Sequence, residues 1–336
     1  MPFDPIRFTR HLVDIESITG NEIACGELLL RELAALGMET KSVPVKDGRF
    51  NVIATFPATP QPEVYLSTHF DTVPPFIPSR EDSENIYGRG ACDAKGIIAA
   101  MTAAALRLHE QKKDVGLLFL AGEEQGSDGA KVANANAQEL HGGKCKLLIN
   151  GEPTESKIAI ASKGTLRAAI TASGKMAHSA YPHLGESAIA KLVQALERLR
   201  TMPLPSDPEI GPCTMNIGMI KGGRAPNVIP DHAEAQLLYR LVGPSEELKE
   251  KVKETVGNLA KVDFYLEIPF MRFATVDGIP TMIAAFTTDI PALTNWGRPL
   301  LFGPGSIHVA HTDREFISKK ELLAAVETYI SLGSRL

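Results

Sequence analysis

Tyr65-Leu66-Ser67-Thr68-His69-Phe70-Asp71-Thr72-Val73-Pro74-Pro75 runs an apolar, strand-like segment straight into an imidazole and a carboxylate. The same design returns downstream, where Val115–Ala121 leads to Glu123-Glu124 and Lys146–Ile149 leads to Gly151-Glu152-Pro153. Asn51–Phe56 reads as a further strand, and Lys95–Glu110 as a helix. Apolar strands alternating with helices predict a buried, largely parallel α/β sheet. Ligands of such sheets collect beyond the carboxyl ends of the strands. His69, Glu123, Glu124 and Glu152 are therefore expected along one rim.

Further donors lie between and beyond these strands. Asp93 sits in Gly88-Arg89-Gly90-Ala91-Cys92-Asp93-Ala94-Lys95-Gly96, whose small residues let the backbone bend around an ion. It also suits the N-cap of the helix beginning near Lys95. The Gly-Arg-Gly run matches neither a Walker loop nor G-x-G-x-x-G, so no phosphate loop is expected. Pro153 forces Glu152 out of the helical region. His311 falls in the glycine-rich stretch Gly303–Asp313, where His308 competes for the same role and spacing does not separate the two.

Residues two apart in an extended segment share a side, so Asp71 is placed to accept a hydrogen bond from the His69 ring. Adjacent strand residues face opposite ways, so Glu123 and Glu124 meet at one site only if the strand has broken at Gly122. One then binds metal while the other takes a proton from water. Taken singly, each motif has an ordinary reading as a strand histidine, a helix cap or a solvated acidic turn. Taken together they describe a hydrolytic metal centre. With His69, Asp93, Glu124, Glu152 and His311 as ligands, three carboxylates meet two dications, a co-catalytic arrangement. Nitrogen and oxygen donors without thiolate fit two zinc ions, with cobalt or manganese able to substitute. A single structural ion is the simpler alternative, and five scattered donors weigh against it.

The chain of 336 residues has 44% hydrophobic and 22% charged residues, the balance of a soluble globular protein. Its net charge of -5 gives no electrostatic footprint for nucleic acid. No apolar run approaches the roughly 18 residues of a membrane span. Met1-Pro2-Phe3-Asp4-Pro5 lacks the pattern of a signal peptide. Cys25, Cys92, Cys145 and Cys213 form no C-x-x-C pair. Reduced thiols in a cytoplasmic protein are expected.

Helices are predicted over Pro5–Ser17 and Asn21–Leu36, the second closed by Gly37. After Ala161 the pattern changes to strand Gly164–Ser173, helix Ser187–Arg200, strands Thr214–Ile220 and Ala233–Leu241, helix Ser245–Asn258 and strand Val262–Ile268. This β-α-β-β-α-β order predicts a two-layer, ferredoxin-like α+β unit. α/β character resumes near Thr281 and closes on helix Lys319–Leu332, so residues 162–275 read as an insertion into a catalytic domain of residues 1–161 and 276–336.

The ordered motifs, His69–Asp71, Gly88–Gly96, Glu123-Glu124, Gly151-Glu152-Pro153 and the Gly-Pro-Gly-Ser stretch ending at His311, closely resemble the M20 metallopeptidases along essentially the whole chain. That family includes acetylornithine deacetylase, succinyl-diaminopimelate desuccinylase, aminoacylase and carboxypeptidase relatives, and Gly151–Thr154 with Gly303–Ser306 resembles the first two most. The resemblance implies a zinc-peptidase-like α/β domain with a mixed, mainly parallel sheet, and a dimer formed by the inserted lid domain. It implies that His69 and Glu152 hold one zinc, Glu124 and His311 the other, and Asp93 bridges, with Asp71 orienting His69 and Glu123 as general base. His178, in Met176–His183, matches a histidine that polarises the scissile carbonyl across the dimer. Asn227 and Arg240 match substrate-contacting positions; ordinary roles in a turn and an ion pair are their alternatives. The expected substrate is an N-acyl amino acid. The alternatives are a short peptide, cut by a di- or tripeptidase or a carboxypeptidase, and a non-catalytic binding protein on the same fold.

Overall fold

A computed structural model describes residues 3–334, and these separate into two compact units. The first comprises the chain up to Ile160, Phe273–Met282 and the segment from Thr288 onward; the second comprises Ala161–Arg272 and Ile283–Thr287.

In the first unit, helices α1 (Pro5–Val13) and α2 (Ile23–Ala35) precede strands β1 (Glu39–Pro44), β2 (Phe50–Thr55) and β3 (Val64–His69). Helix α3 (Gly96–Glu110) leads to β4 (Gly116–Leu120), helix α4 (Asp128–Ala135) and β5 (Leu147–Asn150). Strand β6 (Ile158–Ser162) leaves the unit, and β7 (Arg298–Phe302) and helix α5 (Lys319–Gly333) complete it. The strands lie in the order β1-β2-β4-β3-β5-β7-β6. The central four are parallel. The flanking pairs are antiparallel.

Alternation along β4 explains why both faces are covered. Leu117 and Phe119 pack with α1, α2, α3 and α5. Leu118 and Leu120 pack on the opposite side with Tyr65, Ala130, Ala133 and Trp296. Parallel register sets His69 opposite Leu120 and Ser67 opposite Asn150, and Asn150 in turn faces Leu301. All four parallel strands thus end at one level, and the loops leaving them share one rim.

The second unit is a four-stranded antiparallel sheet of Gly164–Ser173, Thr214–Gly222, His232–Leu241 and Lys261–Ile268, in the spatial order second, third, first, fourth. Leu166, Ala168 and Ile170 from the first strand, with Leu237 and Tyr239 from the third, are buried in alternation. Helices Ala188–Thr201 and Glu246–Val256 contribute Leu192, Leu196, Leu199, Leu248 and Val252 to the buried set. This is the two-layer ferredoxin-like arrangement. Among the described residues no helix is long and apolar enough to cross a membrane.

Candidate metal centre

Strand β3 ends at His69, which is 1% exposed. Its Nδ1 lies 3.0 Å from the backbone oxygen of Asp71 and 3.4 Å from the Asp71 carboxylate. The Asp71 carboxylate does more than face this ring. It accepts hydrogen bonds from the Thr19 hydroxyl at 2.7 Å and from the amides of Glu123 and Glu124 at 3.1 and 3.2 Å. Burial works against its charge, but the hydrogen bonds from His69, Thr19 and Glu123 hold the Asp71 carboxyl below its ordinary range. One side chain therefore ties the end of β3 to the turn after β4.

That turn breaks the strand. Gly122 and Gly126 have φ of +79 and +128°, and Glu123–Gln125 forms a single 3-10 turn between them. The two glutamates project from a turn, not from opposite faces of a strand. Asp93 is no helix cap: it has φ -125 and ψ 89°, and α3 begins at Gly96 without a side-chain cap. Its carboxylate points back to the rim, with Oδ1 3.0 Å from His69 Nε2 and Oδ2 3.4 Å from His311 Nε2. His311 adopts φ +61°, and its Nε2 also lies 2.9 Å from Glu124 Oε1.

Two donor sets result, His69–Asp93–Glu152 and Asp93–Glu124–His311, with the donor atoms of each set within 4.8 Å of one another. His308 joins neither set. The donor chemistry fits a cation. His69 Nδ1 faces a carbonyl oxygen, which only accepts, so this nitrogen carries the hydrogen. In a neutral ring Nε2 then presents a lone pair to the Asp93 carboxylate, an arrangement that needs a positive charge between them. His311 Nε2 faces two carboxylates in the same way. Glu152 Oε1 is buried without a hydrogen-bond partner. Burial, then the charge of Asp93, raises the Glu152 pKa well above its ordinary value. Hydrogen bonds to Asp93 and Glu124 push His311 up to about 10. A bound cation would relieve every one of these conflicts. Metal use fits the residues present.

Glu123 stands in neither donor set. Burial first, and then the charge of Glu152, raise its carboxyl well above the ordinary range. Asp289, Arg89 and Glu315 also serve this region; Arg89 lies within the Gly88–Gly96 motif without a role assigned to it, and Asp289 and Glu315 fall in no motif. Asp289 is buried, its Oδ1 has no partner, and burial pushes its pKa up to about 7. Nothing in Thr287-Thr288-Asp289-Ile290-Pro291 marks it as part of the rim.

The remaining predicted residues belong to the second unit. His178 is exposed on a two-residue strand whose register sets it opposite Val228. The Ala180 amide donates to His178 Nδ1 at 3.1 Å. Asn227 adjoins it, its carbonyl accepting the Ser179 amide at 3.0 Å. Arg240 is half-buried, opposite Thr165 in the sheet, and donates to the Thr165 hydroxyl at 2.9 Å. Burial and the neighbouring Arg167 lower its pKa. It lies eight residues along its strand from His232, about 26 Å at the usual rise, so it is not grouped with His178 and Asn227 within this unit.

Comparison with known proteins bears on the whole chain. Residues 160–264 match the peptidase dimerisation domain of the M20 type, and residues 51–198 match peptidase family M28. A tripeptidase from Staphylococcus aureus shares the fold at TM-score 0.83 and 24% identity, each chain covered over 100%. A dinuclear metal-binding peptidase of the M20 family from Bacillus subtilis superposes at TM-score 0.73 with 16% identity, over 98% of this chain and 96% of that one. A probable carboxypeptidase of Aspergillus terreus is 37% identical over 97% of this chain and 85% of its own length. An M20 peptidase domain protein of Schizosaccharomyces pombe is 35% identical over 96% of this chain and 82% of its own. Likeness of that extent, on a rim built to hold cations, decides the family: the chain belongs to the M20 peptidases and is a metal-dependent hydrolase.

Proposed function

We propose that this hydrolase cleaves the amide bond joining an acyl group to an amino acid whose carboxylate is free. The observation that carries the reading is the pair of donor sets sharing Asp93, with Glu123 beside them and bound into neither. His69 and Glu152 would hold one cation, Glu124 and His311 the other, and Asp93 both. Two zinc ions suit these donors, with cobalt or manganese as substitutes. When bound, the cations supply Lewis acidity toward the carbonyl oxygen and make a water molecule more acidic. Glu123 accepts a proton from the attacking water and returns it to the departing amine nitrogen, so that a carboxylic acid and an amine leave. Asp71 fixes the His69 tautomer and, through the amides of Glu123 and Glu124, the position of both glutamates.

A second reading is supported by the relatives named as probable carboxypeptidases. The last residue of a short peptide is itself an N-acylated amino acid with a free carboxylate, so the chemistry is unchanged and only the acyl side differs. In both readings Arg240 receives the substrate carboxylate, while a second copy supplies Asn227, which contacts the substrate, and the adjoining His178, which polarises the scissile carbonyl. The homodimer forms through the second unit. Its support is the dimerisation-domain match over residues 160–264 and the exposed apolar side chains Ile189, Val193, Met219 and Ile220. Four unpaired cysteines suit the cytoplasm.

The test is hydrolysis by metal-stripped protein with zinc or cobalt restored. The panel holds N-acetyl amino acids, N-succinyl-diaminopimelate, short peptides and the carboxamide counterpart of each. Metal-dependent release of the amine from the free acids, and not from the carboxamides, is expected. Equal hydrolysis of the carboxamides would remove the carboxylate requirement, and silence across the panel would favour a binding protein.

A further inference from the structure

Arg89 and Glu315 belong to neither donor set, yet each is only 2% exposed. Glu315 Oε1 accepts the backbone amides of Gly90, Cys92 and Asp93 at 2.9, 3.1 and 3.1 Å. Its Oε2 receives the Arg89 guanidinium at 2.7 Å, and its backbone carbonyl accepts the Gly88 amide at 3.1 Å. Arg89 donates further to the carbonyl of Thr312 at 3.2 Å and of Pro75 at 3.3 Å. Three loops therefore converge on one buried ion pair: the segment following Asp71, the turn carrying Asp93, and the loop carrying His311.

Buried ion pairs often contribute no more stability than apolar residues of similar volume. What this pair supplies is geometry. The carboxylate gathers three amides of one turn, those of Gly90, Cys92 and Asp93, and the planar guanidinium reaches two carbonyls that a lysine could not span together. We propose that Arg89 and Glu315 are positioning residues that fix the spacing of Asp93 relative to His311 and so set the affinity of one cation more than the other. This rests on the two-cation reading above. Asp93 and His311, two of the three donors in the Asp93–Glu124–His311 set, ride on clamped loops. In the His69–Asp93–Glu152 set only Asp93 depends directly on the carboxylate. Glu124 is held instead through its amide on Asp71. Loosening the clamp therefore weakens the His311 set selectively.

The experiment titrates cobalt(II) alone into metal-stripped, full-length wild type, Glu315→Gln and Arg89→Lys. Visible absorption and calorimetry give the affinity of each equivalent, and the melting temperature of each metal-free protein reports the fold. Wild type is expected to bind two ions. Glu315→Gln should hold the second about 10–100-fold more weakly, the scale seen when groups supporting metal ligands are lost, while the first changes far less. Arg89→Lys, which leaves the three amide contacts of Glu315 in place, should shift the second equivalent the same way by a smaller factor, and it decides the matter if Glu315→Gln does not fold. Equal weakening of both equivalents, or an unchanged second one, overturns the clamp. A wild type that takes fewer than two ions sinks the two-cation reading itself, which is a separate and recognisable result.

Discussion

Burial and the charge of Glu152 raise the Glu123 carboxyl, while the adjacent Glu124 lies 2.9 Å from His311 Nε2. Glu123→Gln should lower turnover by about 10²–10⁴-fold, the usual contribution of a general base, with both cations retained. Glu124→Ala should lose one cation along with activity. Metal analysis alongside turnover numbers checks both, and the reverse pattern would exchange the two roles. These residues could be picked out in the sequence because each follows an apolar run. Glu315 could not: its partner amide at Asp93 is 222 residues away, and an isolated glutamate carries no pattern. Asp289 was equally silent. His308 and His311 could not be separated by spacing, because the choice depends on the backbone of the loop, where His311 takes φ +61°.

The end of β4 shows how an element positions chemistry. Gly122 has φ +79°, and a methyl group there would lie 1.9 Å from Asp128 Oδ1. Asp128 is bonded to Arg49, which also meets Glu22 at 3.1 Å, so the obstructing carboxylate is itself held. Gly122→Ala should destabilise the protein by about 1–3 kcal/mol, the scale of a strained backbone position, and depress turnover by moving the Glu123 turn. Denaturant unfolding and steady-state kinetics measure the two effects, and an unchanged unfolding midpoint would count against the argument. The central strands were readable to within a residue or two, Val115–Ala121 against the observed Gly116–Leu120, because each is a continuous apolar run. β1 was not, since Glu39–Pro44 is a mostly exposed edge with only Val43 buried. α4 was missed because Gly129, Ala130 and Ala133 pack against the sheet without the large side chains that mark a helical stripe. Apolar runs gave no sign that β2 lies antiparallel to β4, since direction depends on the connections.

Across the whole molecule, the metal-free chain holds protons that an unfolded chain would release. His311 is pushed up from 6.5 to about 10 by Asp93 and Glu124, and burial raises Glu123 and Glu152. Where the folded state binds more protons, stability falls as pH rises. The His311 contribution is complete below pH 6.5 and is lost as pH climbs through about 10. Melting temperatures of stripped protein should fall over that window, and those of metal-loaded protein should not, because the cation takes the place of the proton. Parallel scanning calorimetry tests this, and matching pH profiles would refute it. The proposed homodimer predicts that Val193 and Ile220, 60 and 62% exposed, tolerate joint replacement by lysine without loss of fold and that light scattering then shows a monomer in place of a dimer. Strand β7 lies between β5 and β6. A ribosome that has delivered residues up to Ser162 has already made both neighbours of that strand, but the strand itself emerges only after residues 163–297. The nascent sheet must keep an open slot flanked by unpaired backbone throughout that interval. Vectorial synthesis therefore exposes this protein to mispairing and makes the arrival of Arg298–Phe302 the step at which the sheet can first close, before His311 emerges to complete the rim.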